Sequence, residues 1–234
     1  MRNWRVIVAL ASVILLVVIA GIHAADWTSE DIGDAANAPG SDEEINGEWT
    51  INADGNDIWG NADGFRFVYQ EVLGDFEISC QVLSIQNTNA WAKAGVMARS
   101  SNAANASFAF SFVTVATGVM MEWRTADGAG AGPVGEGLPE TAPYYVKLVR
   151  EGDDFKSFRS PDGENWEENH AVGHPSEINI AMDDPILVGL ALTSHSAGVL
   201  CEAKFDSLEA SFPGVPVEPA GKLPTVWAEI KSRH

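Results

Sequence analysis

The 234 residues contain 14 Lys and Arg against 33 Asp and Glu, which gives a formal net charge of −19 at pH 7, and 46% of the residues are hydrophobic. This hydrophobic fraction can supply a large core, and a β-rich chain of this length can form a single domain. Because so acidic a chain repels phosphate backbones and anionic membrane faces, we exclude nucleic acids and lipid headgroups as partners.

The N-terminal segment has the order of a secretory signal. Residues 1–5 contain two arginines, residues 6–22 form an uninterrupted apolar run, and Ala24 places a small residue after it. This order predicts cleavage near Ala24. An uncleaved membrane anchor is the alternative, because the apolar run reaches the lower edge of a bilayer span. Residues 1–24 therefore predict a secreted or periplasmic protein, or one anchored in the membrane if the segment is kept.

The rest of the chain divides into three parts. Residues 25–47 are acidic and rich in turn formers, and we expect a surface loop that leads into the first strand. Residues 48–212 contain short apolar segments separated by Gly, Asn, Asp and Pro. Residues 213–234 begin with a proline-rich spacer, which cannot continue a central strand, and end in a short tail. In that tail Thr225 can cap a short helix that carries Trp227.

Within residues 48–212, apolar side chains recur at every second position. Phe76, Ile78, Cys80 and Val82 alternate with polar residues, as expected for strands with one buried face. Residues 188–192 are apolar on both faces, which indicates a central strand. About ten or eleven such strands with turn signals between them predict an all-β fold of two packed antiparallel sheets.

The two cysteines, Cys80 and Cys201, fall at inward positions of predicted strands. Export from the cytoplasm makes a disulfide between them chemically possible. Two buried free thiols fit the same pattern, because sequence alone does not give the geometry that a disulfide needs.

Several segments together resemble a domain-of-unknown-function family of the concanavalin A-like lectin/glucanase superfamily, sometimes labelled regulation-of-enolase-like. The match extends over about residues 45–212, and Trp91–Arg99 is its most specific piece. The resemblance implies a jelly-roll sandwich and a role near carbohydrate recognition, often as a module beside enzymes. It implies no catalytic residues. The matching segments are residues 57–60, 63–67, 74–78, 91–99, 145–150, 160–166 and 188–195.

The segment of residues 160–166 also resembles the Asp-box of sialidases, which is a structural hairpin. Asp162 and Gly163 suit a tight turn, since Asp bonds nearby amides and Gly accepts a positive φ. We therefore expect a structural role for Asp162.

The sequence offers little catalytic chemistry. Glycan-cleaving relatives of this fold carry Glu-x-Asp-x-x-Glu on one strand, and no such string occurs here. Asp75 and Glu77 come nearest to it and lack a third carboxylate. The histidines have no metal-ligand spacing. Calcium is the one cofactor considered, because Asp54, Asp57 and Asp63 lie in an oxygen-rich loop, although ordinary turns have the same composition.

Basic residues occur in strands at positions that alternate with the apolar ones, although the chain as a whole is acidic. If these strands share a sheet, its open face is basic and polar, with Gln70 and Glu122 among the cations. Such a face predicts a groove for acidic glycans, and a network of cross-strand ion pairs explains the pattern equally well. The basic residues concerned are Arg66, Lys93, Arg99, Arg124 and Lys147.

Our leading hypothesis from sequence is an exported, non-catalytic module that binds a polysaccharide or glycoconjugate. Trp59 and Trp91 are candidates to stack on sugar rings, and both also suit a core or rim position. A structural or adaptor protein that docks to a protein partner through the Trp227 tail is the alternative. A glycoside hydrolase comes third.

Overall fold

The computed structural model describes residues 27–212, which form two antiparallel sheets and one short 3-10 helix, Gly33–Asn37. The strands are β1 (Thr28–Ile32), β2 (Ser41–Ile45), β3 (Glu48–Ala53), β4 (Phe65–Val72), β5 (Phe76–Ile85), β6 (Lys93–Arg99), β7 (Phe108–Thr114), β8 (Val119–Arg124), β9 (Tyr144–Glu151), β10 (Asp154–Ser160), β11 (Glu167–Glu168), β12 (Glu177–Asn179), β13 (Ile186–Thr193) and β14 (Cys201–Ser211).

The strands divide between a six-stranded and an eight-stranded sheet. The order in the first is β1-β4-β13-β6-β7-β8, and in the second it is β11-β10-β9-β5-β14-β3-β2, with β12 beside β10. Every pairing is antiparallel, and several neighbours are distant in sequence, so the chain crosses repeatedly between the sheets. The predicted fold class, an all-β jelly-roll sandwich, is confirmed.

The main core lies between the two sheets. Val96 and Leu190 from the six-stranded sheet and Ile78, Val146 and Phe205 from the other are all inaccessible to solvent. Burial of each such side chain contributes about 1.5–3 kcal/mol. The alternation predicted for β5 is confirmed, because its inward positions belong to this core.

A second core covers the outer face of the six-stranded sheet. Phe65, Phe67 and Phe110 point away from the main core and are nonetheless fully buried, because Ile58 and Ala171 from loops pack over them. The expectation of one exposed face is therefore wrong for β4, β6, β7 and β8. In these strands alternate side chains point into the two cores, and few of them face solvent.

Strand β13 is the central strand that the sequence predicts. It lies between β4 and β6, and all eight of its residues are buried. Gly189 is required there by close approach, since a Cβ at this position would lie 1.9 Å from the Val68 carbonyl oxygen.

The prediction of a loop over residues 25–47 is wrong for most of that segment. Strand β1 forms an edge of the six-stranded sheet, and β2 forms an edge of the other. Strand β1 carries two acidic residues and β2 carries three, and charged side chains at sheet edges discourage pairing with other chains. These edge strands, together with the short β11 and β12, raise the count above the ten or eleven predicted.

The expected signal segment, residues 1–24, and the Trp227 tail lie outside the described residues. Within the part of the chain that is described, no helix has the length and apolar character needed to cross a bilayer.

Of the two alternatives left open for the cysteines, the structure shows the second: Cys80 and Cys201 are buried free thiols, and the candidate disulfide is not formed. The Cys201 thiol contacts the carbonyl oxygen of Gln86. Gln86 directly follows β5 and lies six residues after Cys80. Six residues of strand span about 20 Å, whereas bridged cysteines need Cα atoms roughly 6 Å apart. Burial raises the pKa of both thiols.

Candidate functional site

The basic residues singled out in the sequence do not form one open groove. Lys93, Arg99 and Arg124 share the outer face of the six-stranded sheet, but all three are almost completely buried there. Arg66 lies in the opposite phase of the same sheet, and Lys147 lies on the other sheet. The prediction of a basic groove is therefore wrong, because strand phase in the sequence does not show which face of which sheet is covered.

Arg66 and Gln70 lie away from the other candidates. They occupy the same phase of β4 and alternate with the aromatic side chains that build the second core. Arg66 is paired with two carboxylates of the edge strands. Its Nη1 lies 3.0 Å from Asp31 Oδ1, and its Nε donates to Asp42 Oδ1 at 2.8 Å. Its role is to join the first two strands to the sandwich.

Lys147 lies on the outer face of the eight-stranded sheet. Its Nζ is 2.7 Å from Glu77 Oε1 and 4.2 Å from the centroid of the Trp166 ring. Trp166 also meets Tyr145 edge to face. The hairpin before Trp166 is built on Asp162, which accepts hydrogen bonds from Ser160 and from the amides that follow it. These bonds lower the pKa of Asp162, and the expected structural role of that residue is the one observed.

Arg99 and Arg124 are fully buried and share one carboxylate. Asp63 Oδ2 accepts from an Nη1 of each at 2.7 Å, and Asp63 Oδ1 accepts from Arg124 Nη2 at 2.7 Å. The guanidinium groups also lie 5.0 Å from the Phe65 ring centroid (Arg99) and 4.9 Å from that of Phe108 (Arg124). Burial lowers the pKa of Arg99, and Asp63 opposes that shift.

This buried network fixes loops to the sheet. Arg99 donates to the Ala103 carbonyl at 2.7 Å, and Arg124 donates to the carbonyls of Gly60 and Ala129 at 3.0 Å. The loop between β3 and β4 is held in this way. Because that loop carries Trp59, the network also holds the indole, whose ring lies beside Lys93.

The other candidates meet at a pocket on the same side of the six-stranded sheet. Trp59, Trp91, Lys93 and Glu122, all named from sequence, surround a cavity of about 300 Å³. This size is at the lower end of small-molecule sites, about 300–1,000 Å³. The complete lining is Asp57, Trp59, Trp91, Lys93, Met120, Glu122, Pro133, Val134, Gly135 and His195.

Lys93 forms the floor of the pocket with only 2% of its side chain exposed. Its Nζ lies 2.9 Å from the Ile58 carbonyl oxygen, 2.8 Å from Asp57 Oδ1 and 3.0 Å from Glu122 Oε2. Burial alone would lower the pKa of Lys93. The combined attraction of the two carboxylates outweighs burial and raises that pKa, so the ammonium stays charged.

Glu122 faces Lys93 from β8 and is equally buried. Burial raises the pKa of Glu122 to about 7, although Lys93 acts in the opposite direction. The Glu122 carboxyl can therefore take up a proton near neutral pH. The neighbouring Asp57 side chain is more accessible to solvent, at 20% exposure.

Asp57 has the most exposed side chain of the three paired groups Asp57, Lys93 and Glu122. Its Oδ1 accepts the Ile58 amide at 2.8 Å in addition to Lys93, and its Oδ2 lies 3.1 Å from His195 Nε2. His195 follows the end of β13 and has a positive φ of 50°. It brings an imidazole from a distant part of the chain to the rim of the pocket.

The two tryptophans are half-buried at the mouth of the pocket. Trp91 is placed by a turn in which Asn89 Oδ1 accepts the Trp91 amide at 2.9 Å. The Trp59 ring lies 5.6 Å from Lys93 Nζ. Val134, at 79% exposure, completes an apolar rim around the charged floor.

The calcium candidate is contradicted, because its three carboxylates serve different partners. Asp54 accepts the amides of Gly55 and Gly198, Asp57 holds Lys93, and Asp63 holds the buried arginines. Among residues 27–212, no group of three or more His, Cys, Asp or Glu side chains could hold a metal ion.

The carboxylates considered for glycan cleavage are occupied elsewhere. Asp75 accepts the Gly152 amide at 2.7 Å and closes a turn, and Glu77 is paired with Lys147. Neither lines the pocket.

Sequence reasoning missed two polar members of the site. Asp57 was considered only as a calcium ligand, and His195 was dismissed for its lack of metal-ligand spacing. A signal for Asp57 existed, since Asp57 and Trp59 flank a buried Ile58 at the spacing that puts two side chains on one side of an extended segment. No local pattern pointed to the contact with His195.

Proteins of known structure share this fold. A functionally unknown protein from Saccharomyces cerevisiae superposes with a TM-score of 0.59 at 16% identity, over 80% of this chain and 96% of that one. A mutant of the GH43 protein BlXynB from Bacillus licheniformis superposes with a TM-score of 0.50 at 11% identity, over 74% of this chain and 38% of that one. No protein-family model and no curated protein matches the sequence. These likenesses concern the fold alone, an all-β sandwich.

Proposed function

We propose that this protein is a non-catalytic module that binds a carbohydrate or glycoconjugate in the pocket bounded by Trp59 and Trp91. The observation that carries the proposal is that one cavity is lined both by two half-buried indoles and by the charged side chains of its floor. Aromatic faces contribute large contact area, and carboxylates accept hydrogen bonds from hydroxyl groups. A sugar ring needs both kinds of contact.

The rigidity of the site supports a binding role. The loop that carries Trp59 is held by Arg124 through the Gly60 carbonyl, and Lys93 is held by three acceptors. A site that is already ordered loses little conformational entropy when its ligand binds.

The non-catalytic part of the proposal rests on the missing Glu-x-Asp-x-x-Glu string and on the structural roles of Asp75 and Glu77. The resemblance of residues 45–212 to a concanavalin A-like family agrees with a module found beside enzymes, and membership of that particular family stays a prediction. The apolar run of residues 6–22 supports export, so we place the module outside the cytoplasm.

A glycan array with the full chain, followed by titration calorimetry of the strongest hits, tests the proposal. Trp91→Ala should weaken binding about tenfold or more, because central aromatic anchors carry most of the affinity in such sites. Trp166→Ala is the matched control, since Trp166 is also half-buried but lies on the other sheet.

Two results would contradict the proposal. Equal losses in the Trp91 and Trp166 variants, or no Trp91-dependent binding at all, would remove the pocket as the site. Release of new reducing ends from a bound glycan would show that the module is catalytic.

A further inference from the structure

Among residues 27–212, the lysine and arginine side chains around the pocket have no donor left for a ligand. The Lys93 ammonium has three hydrogens, and three acceptors surround it: the Ile58 carbonyl, Asp57 and Glu122. With 2% of its side chain exposed, it cannot turn toward a ligand without abandoning one of these partners. An acidic sugar would therefore find no available ammonium at the floor.

The other basic groups nearby are engaged through His195 Nε2 and through both arginine side chains. His195 Nε2 faces Asp57 Oδ2 at 3.1 Å. Arg99 and Arg124 are 0% exposed and are bonded to Asp63 and to loop carbonyls. The sequence predicts Lys93, Arg99 and Arg124 on an open face for acidic glycans, and burial removes these three side chains from that use.

Asp57, in contrast, keeps capacity to accept. Among the residues that the structure describes, its Oδ1 has two partners and its Oδ2 has His195, whereas a carboxylate offers about four acceptor positions. At 20% exposure it is open to the cavity that it lines. Within the described part of the chain, the pocket thus presents a carboxylate acceptor and no free lysine or arginine donor.

We propose that the pocket selects neutral saccharides, whose hydroxyl groups donate to Asp57, and rejects uronic acids and sulfated sugars. This inference rests on the proposed function and names the ligand class of the same site. An acidic group placed beside Asp57 meets a like charge in a partly dehydrated cavity, and like-charge contacts of this kind are strongly unfavourable. Specificity then comes from repulsion as much as from attraction.

Matched oligosaccharides test the inference at pH 7. The neutral probes are tetramers of glucose, galactose and mannose, and the acidic probes are tetramers of glucuronic, galacturonic and mannuronic acid. In titrations of the wild-type chain, at least one neutral tetramer should bind, and its acidic counterpart should bind about tenfold or more weakly. Trp91→Ala should weaken the binding of the neutral tetramer about tenfold or more, as in the test of the proposed function.

The variant Asp57→Asn tests whether Asp57 causes the selectivity for neutral sugars. An amide both accepts and donates, so this variant should bind the neutral tetramer more weakly and narrow the neutral-to-acidic ratio toward one. Asp183→Asn removes an exposed carboxylate outside the pocket and should leave the ratio unchanged. Thermal unfolding of each variant checks folding, and the wild-type comparison stands even if Asp57→Asn does not fold.

The outcomes separate the two proposals. Trp91-dependent binding of an acidic tetramer that equals or exceeds that of its neutral counterpart overturns the selectivity and leaves the proposed function in place. A ratio that Asp57→Asn does not change overturns the role of Asp57. Absence of Trp91-dependent binding both on the array and with all six tetramers overturns the proposed function, and the selectivity falls with it.

Discussion

The outer faces of the two sheets present the same sequence pattern and have opposite physical states. On the eight-stranded sheet, Lys147 pairs with Glu77, whose side chain is 51% exposed. On the six-stranded sheet, Arg124 pairs with Asp63, and both side chains are 0% exposed. In both strands the basic residue occupies the phase opposite to apolar residues, Val146 and Leu148 for Lys147 and Met121 and Trp123 for Arg124. What differs is the set of loops that cover one face and leave the other open.

This difference decides what each ion pair contributes. An exposed pair is worth about 0–1 kcal/mol, since water and salt screen it. A buried pair offers little net stability when intact, but removal of one partner costs about 3–5 kcal/mol, because the other charge is left without compensation. The covered face therefore holds a rigid site, and the open face holds a solvated surface.

The largest expected effect is that of Asp63→Asn, which leaves two buried guanidinium groups without a counter-charge. We expect a loss of about 3–5 kcal/mol in the free energy of unfolding, measured by chemical denaturation. Glu77→Gln on the open face is the control and should cost about 1 kcal/mol or less. Similar losses for the two variants would show that the covered face is hydrated in solution.

A smaller effect is expected from the ionisation of Glu122. Burial raises the pKa of Glu122 to about 7 in the folded protein, whereas the ordinary pKa of a glutamate, expected in the unfolded chain, is 4.5. The folded state therefore binds more protons between these values, and this group makes stability fall as pH rises through that window. A shift of this size corresponds to at most about 3 kcal/mol.

Glu122→Gln removes this titration while it keeps an acceptor for Lys93. The wild-type free energy of unfolding should fall relative to that of the variant between pH 4.5 and 7, and the difference should be constant above this range. Denaturation at a series of pH values measures the difference, in which the other titrating groups cancel. A wild-type curve parallel to that of the variant throughout would contradict the burial of this carboxyl.

The smallest effect is expected on the open face. A double-mutant cycle with Lys147→Gln and Glu77→Gln should give a coupling energy of about 0–1 kcal/mol, which decreases as salt is added. Chemical denaturation at low and high ionic strength gives the values. A coupling energy of several kcal/mol that does not change with salt would contradict the proposed difference between the two faces.

The sequence by itself determined the fold class and the central strand. Period-two alternation in β5 and the doubly apolar run of β13 depend only on local geometry, because successive side chains of a strand point to opposite faces. Trp59, Trp91, Lys93 and Glu122 were also named from sequence, although as members of a larger groove that does not exist.

The tertiary structure alone decided which face of each sheet is covered and which charges meet. Arg66, Arg99 and Lys147 have the same local pattern, yet they lie on three different surfaces. The contact between Asp57 and His195 joins residues that are far apart in the chain. Such contacts depend on strand order and loop packing, which the period of a single strand does not encode.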